Sequence, residues 1–218
     1  MKNLRLAIFI LTPALLFLAG VGIGSHQTSA SAHTASTYYS SKWTNDPPVA
    51  FGRLYSPLDN EQARTSMRYY SPWNSVSGST LDFSWSGIYT SVATWNGTAC
   101  SSGLYSGYVW IFTHDISPLG FTALCLSGST INRVAIVYDH TRSTWYTGSS
   151  SSVPAGRYDL RSVAVHEFGH AGGFQGHFTG SSICTGYTRQ TMCGGLPSAT
   201  SYKRTLASHD IHTVANAY

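Results

Sequence analysis

The sequence predicts a mixed α and β domain of the α+β class, on three observations. Tyr108–Thr113 (YVWIFT) and Arg133–Tyr138 (RVAIVY) are dense in β-branched and aromatic residues, which is the composition of strands. Tyr158–Gly173 (YDLRSVAVHEFGHAGG) has a capping residue, Asp159, ahead of Leu160 and two glycines at its end, the start and stop signals of a helix. The tail Ser208–Tyr218 carries Ile211, Val214, Ala215 and Tyr218 at helical spacing, with Ser208 placed to cap it.

Upstream, Leu81, Trp85, Ile88, Val92 and Trp95 step by four, three, four and three. That spacing predicts one apolar face of a further helix, from a Ser79 or Thr80 cap to Asn96-Gly97. Gly148–Gly156 (GSSSSVPAG) reads as a loop. Residues 33–79 are rich in Ser, Tyr, Asn and Pro and show little periodicity. They are expected to form an N-terminal arm, a short propeptide or an irregular part of the domain, with 80–218 as the domain proper.

The chain has 218 residues, which suits one domain with an appended segment. Lys2 and Arg5 precede the uncharged run 6–24, and Ala30-Ser31-Ala32 follows as a small-residue exit. Together these form a secretory signal peptide over residues 1–32, so the expected location is extracellular, with no stable membrane association after cleavage. Without Lys2 and Arg5 the formal charge falls from +4 to +2. There is no basic run, so nucleic acid is not an expected partner. Charged residues make up only 10%, against roughly 25% in soluble domains.

Cys100, Cys125, Cys184 and Cys193 form an even set, read as two disulfides in an exported chain. Three connectivities exist. Cys100–Cys125 and Cys184–Cys193 are favoured because each closes a short local loop.

The chemistry concentrates in HEFGHAGGFQGH, His166 to His177. His166 and His170 stand one helical turn apart on one face, so both imidazoles can reach one ion. Glu167, beside them, is the residue type that takes a proton from a zinc-activated water. A catalytic zinc commonly has three protein ligands and an open fourth position. The only two Glu are Glu61 and Glu167, so no downstream Glu completes the set. The third ligand is therefore sought among His177, His209, His212 and Asp210. His177 is the best placed, because the glycines of GGFQG can turn the chain back to the metal. On an unbroken helix it would stand about 10 Å beyond His170, so the helix must break at Gly172 or Gly173. Otherwise His209 and His212, like His114 and His140, read as surface or packing residues, and Asp210 as a first-turn residue of the last helix.

These residues resemble the motif of metzincin metalloproteases, closest to small matrixin-like and snapalysin-like secreted forms. His166, Glu167, His170 and Gly173 fill the first four fixed places. His177 arrives one residue late, with Gly176 in its usual place. Met192, in QTMCGG, lies fifteen residues after His177 at the position of a Met-turn, where it would support the metal site without ligating it. Gly194 stands where some members carry a tyrosine. Cys184 and Cys193 would brace the loop leading to the turn. The resemblance implies a zincin-like fold, with a twisted mixed sheet, an active-site helix, a Met-turn and a C-terminal helix. It further implies a bound Zn²⁺, ligated by His166, His170 and His177, and hydrolysis of protein or peptide substrates by a monomeric secreted endopeptidase. The alternative is an inactive metzincin-like secreted binding or structural protein. Few acids and no loop pattern argue against assigning calcium.

Overall fold

The computed structural model describes residues 41–91, 93–142, 144–177, 184 and 190–218. The expected signal segment, residues 1–32, lies outside them. Five strands form the main sheet: β1 (Pro48–Phe51), β2 (Ser84–Ile88), β3 (Val109–His114), β4 (Gly120–Ser127) and β5 (Thr130–Asp139). Their spatial order is β2-β1-β3-β5-β4. β1 runs parallel to β2 and β3, and β3 parallel to β5. β4 alone is antiparallel, hydrogen-bonded to β5 at one edge. A short parallel pair, β6 (Trp145–Tyr146) and β7 (Tyr158–Asp159), leads into the central helix. The helices are α1 (Glu61–Met67), α2 (Ser71–Asn74), α3 (Leu160–Ala171) and α4 (Ser208–Ala217), with a 3₁₀ turn at Tyr202–Arg204. The chain is therefore mixed α and β, with a mostly parallel sheet.

β3 and β5 are apolar on both sides because both sides are covered. Val109, Ile111, Val134, Ile136 and Tyr138 join the larger core, which includes Val165 and Phe168 of α3. Trp110, Phe112, Ala135 and Val137 face a second cluster with Ala93, Ala99 and Leu104. The loop carrying Ala99 and Leu104 is tied to β4 by the Cys100–Cys125 disulfide. The second bridge, Cys184–Cys193, is also present, so both favoured pairings are found.

The helix expected across Leu81–Gly97 does not form. Ser84–Ile88 is instead a strand that adds to the open edge of β1. Leu81 and Phe83 are buried, while Trp85 is 39% and Ile88 46% exposed. Ser84, Ser86 and Gly87 are poor helix formers, and Gly87 sits at φ +151°. Trp85 packs edge-on to Phe51, with ring centroids 5.1 Å apart, and the Arg68 guanidinium stands 4.7 Å over its ring. Trp95 turns to Phe112 and Phe121. Val92 lies outside the described residues.

Residue 79 is likewise not a boundary of the fold. Residues 41–79 supply β1 between β2 and β3, and bury Trp43, Met67 and Trp73 in the main core. Their elements are four to seven residues long, too short for periodicity to register. The last helix also starts differently from the expectation. Ala207 is its N-cap and Ser208 its first residue. The carboxylate of Asp210 accepts from the Ala207 N–H at 2.9 Å, in place of a Ser208 side-chain cap. Among the described residues no helix is long and apolar enough to cross a membrane.

The N-terminus of α3 is secured by charge. Asp159 Oδ2 accepts from the Ser162 N–H at 2.9 Å, as a helix cap does. The same carboxylate takes a two-pronged contact from Arg204, at 2.8 and 2.6 Å. The Arg204 head also donates to the Gly148 and Ser149 carbonyls. Removing one member of such a buried pair strands the other charge, at a cost of about 3–5 kcal/mol. Asp159→Ala is accordingly expected to lower stability by about that amount in urea denaturation. A loss below about 0.5 kcal/mol would show that the pair does not anchor α3.

Candidate metal centre

The site is built on the way α3 ends. Gly173 follows the C-cap Gly172 with φ +100°. The Gly173 N–H donates to the His170 carbonyl at 2.8 Å, and the Phe174 N–H to the Gly169 carbonyl at 3.1 Å. This pair of bonds, with buried Phe174 behind it, is a Schellman motif. A side chain at position 173 would be strained by that φ, and its Cβ would stand 2.2 Å from the Ser41 carbonyl oxygen. Two further carbonyls at this end are also satisfied: the Trp43 indole N–H donates to Ala171 O at 2.8 Å, and the Tyr218 hydroxyl to Gly172 O at 2.6 Å.

Past the reversal, Gly176 at φ +102° turns the chain again and His177 comes back over α3. His166, His170 and His177 then converge, with one nitrogen of each within 4.8 Å of the others. His166 Nε2 and His177 Nε2 are 3.0 Å apart. Among the described residues this is the only group of three or more His, Cys, Asp or Glu that could hold a metal ion. His209 and His212 do not belong to it. Asp210 is committed elsewhere: its two oxygens accept from the backbone N–H groups of Thr191, Met192 and Ala207 at 2.8, 3.1 and 2.9 Å.

Two of the three imidazoles are oriented by the main chain. His166 Nδ1 is 2.7 Å from Thr191 O, and His170 Nδ1 is 2.6 Å from Phe174 O. A carbonyl only accepts, so each Nδ1 carries the proton and each Nε2 keeps its lone pair for the centre. Burial lowers the proton affinity of all three. It puts His166 well below the usual histidine range and His170 at about 4, and it moves His177 in the same direction. Neutral imidazoles are the form that binds a metal. The donor set thus fits a metal ion, with His166 buried, His170 half-buried and His177 exposed on the open side.

Glu167 is also buried, and burial raises its carboxyl to about 7, partly opposed by the Thr122 hydroxyl and then by Lys203. Thr122, on the edge strand β4, donates to Glu167 Oε2 at 2.7 Å. A cavity of about 530 Å³ opens here, with Glu167 and the three histidines in its lining and Leu119, Phe121 and Leu196 among its apolar residues.

Beneath the site, Met192 is wholly buried. It packs into a notch that exists because position 169 is glycine. A Cβ there would stand 2.3 Å from Met192 Sδ and 2.7 Å from Trp73 Cζ2. The Trp73 indole N–H donates to Val165 O at 2.7 Å, tying α2 to the same helix. Gly194 lies beside the His177 ring, and a Cβ there would be 3.7 Å from His177 Cγ.

Sequence reasoning missed Thr122, Lys203, Trp73 and Gly169. A signal existed for the strand that carries Thr122: Gly128-Ser129 separates two apolar runs, a hairpin spacing, and Gly128 has φ +60°. Nothing local marks Lys203 or Trp73.

Gly169→Ala is expected to push Met192 or Trp73 out of place, destabilising the chain by about 1–3 kcal/mol. Thermal unfolding of the metal-free chain measures this, and an unchanged midpoint would mean that the notch is not tight. No protein-family model matches this chain and no curated protein matches it, so the reading of the centre rests on its own geometry.

Proposed function

We propose that the chain is a secreted zinc-dependent endopeptidase of metzincin type, with His166, His170 and His177 as ligands and Glu167 as general base. The observation that carries this reading is the return of His177 to the two helix histidines, with a buried carboxylate beside them. Three imidazoles with an open side suit zinc in a catalytic arrangement. The mostly parallel sheet, the central helix ending in Gly173, buried Met192 under that helix and the closing helix α4 are consistent with a zincin-like fold. The extracellular assignment is supported by the two disulfides together with the signal-like leader.

When bound, zinc supplies Lewis acidity, acidifying water and polarising a carbonyl. The chain's own residues do the rest. β4 is an edge strand lining the cavity, so its outer backbone groups can take an extended peptide as an added strand. That holds a scissile bond over Glu167. Thr122 donates to Glu167 Oε2 and so orients the carboxylate. A carboxyl brought to about 7 by burial is matched to proton transfer near neutral pH. It removes a proton from the attacking water and returns it to the leaving amine. Apolar Leu119, Phe121 and Leu196 exclude water around the bond.

Glu167→Ala is expected to reduce proteolysis of a denatured protein substrate by about 10²–10⁴-fold while zinc content stays at one per chain. Protease assay and atomic absorption on the same preparation decide it. The inactive binding-protein alternative requires that the parent itself carry zinc without chelator-sensitive cleavage, or carry none.

A further inference from the structure

Lys203 is a buried cation that the mechanism above leaves without a role. It is 1% exposed, on the 3₁₀ turn Tyr202–Arg204, next to the Arg204 that grips Asp159. Its Nζ donates to the Cys193 carbonyl, one residue past Met192. The same Nζ stands 3.2 Å from His166 Nδ1.

The chemistry of that second contact is informative. His166 Nδ1 already has the Thr191 carbonyl at 2.7 Å, which requires the proton to sit on Nδ1. Lys203 therefore meets no lone pair there, and its ammonium is set against the back of a ligand ring. Ligating histidines usually face a carboxylate, a carbonyl or a water on that side, and an anionic partner raises their basicity. A cation acts in the opposite sense. It opposes the positive charge that an imidazole gains when its other nitrogen donates to a metal.

Resting on the zinc reading of the three histidines, we propose that Lys203 is an electron-withdrawing outer partner of His166. In this role it weakens metal retention and keeps the bound ion a stronger Lewis acid. The contending role is a strut that holds the 191–193 turn to the 3₁₀ turn. The two roles differ in sign. Deleting a strut loosens the site and weakens metal binding, whereas deleting an opposing charge tightens it.

The test is the zinc dissociation constant of the full chain, by competition with a chromophoric chelator, for the parent and for Lys203→Gln, Lys203→Met and Lys203→Arg. Gln retains a donor for the Cys193 carbonyl without the charge, and Arg retains the charge. The expected result is binding about tenfold tighter in the Gln and Met variants, within the range over which outer partners alter metal affinity, and unchanged in the Arg variant. Gln binding equal to or weaker than the parent overturns the proposal. So does a Gln variant that no longer folds without metal, because Lys203 would then belong to the scaffold. A parent that binds no zinc at all overturns the zinc reading itself, a separately visible result.

Discussion

The reversal at Gly172–Gly173 is the constraint on which the rest of the site depends. Continued for another two turns, α3 would carry His177 about 10 Å past His170, out of reach of a shared ion. Instead Gly173 takes φ +100° against the Ser41 carbonyl, a position that no other residue type fills without strain. The motif that stops the helix also orients the site. Phe174, whose N–H closes the reversal on Gly169, offers its own carbonyl to His170 Nδ1. One local piece of backbone thus terminates the helix, aims the second imidazole and starts the chain on its way back to the first.

A second set of contacts holds the other side. Asp210 gathers three backbone N–H groups and so fixes Thr191 and Met192. Thr191 then orients His166, and Met192 fills the notch at Gly169. Asp210, a candidate metal ligand by residue type, instead holds the backbone that orients a histidine. Trp43 and Trp73 donate to carbonyls of the same helix, and Tyr218 to the carbonyl of its C-cap Gly172, from chain segments far apart in sequence. The burial that results favours neutral imidazoles and lifts Glu167 to about 7, so packing sets the protonation states at the centre.

What was legible in the sequence is what local rules encode. Asp159 marks the start of α3, and the glycine pair marks its end. The spacing of the histidines with three intervening glycines foretold the return of His177, and short loops selected the two disulfides. The failures share a different cause. Leu81–Trp95 has helical spacing, but β1 presented an open edge and Ser84–Ile88 paired with it, a tertiary choice that overrides the spacing. β1 and the short helices of residues 61–74 fall below the length at which periodicity speaks. Thr122 and Lys203 reach Glu167 and His166 across 45 and 37 residues of sequence, so only the folded chain brings them together.

The central claim is that three imidazoles, one of them His177, bind a single ion. X-ray absorption spectroscopy of the zinc-loaded chain tests it most directly, because it reads ligand type, number and distance at the metal. The account predicts three imidazole nitrogens and one light water-derived ligand, each at about 2.0–2.2 Å, in the parent, with one imidazole lost in His177→Ala. Two imidazoles in the parent, or a first shell unaltered by His177→Ala, would contradict it.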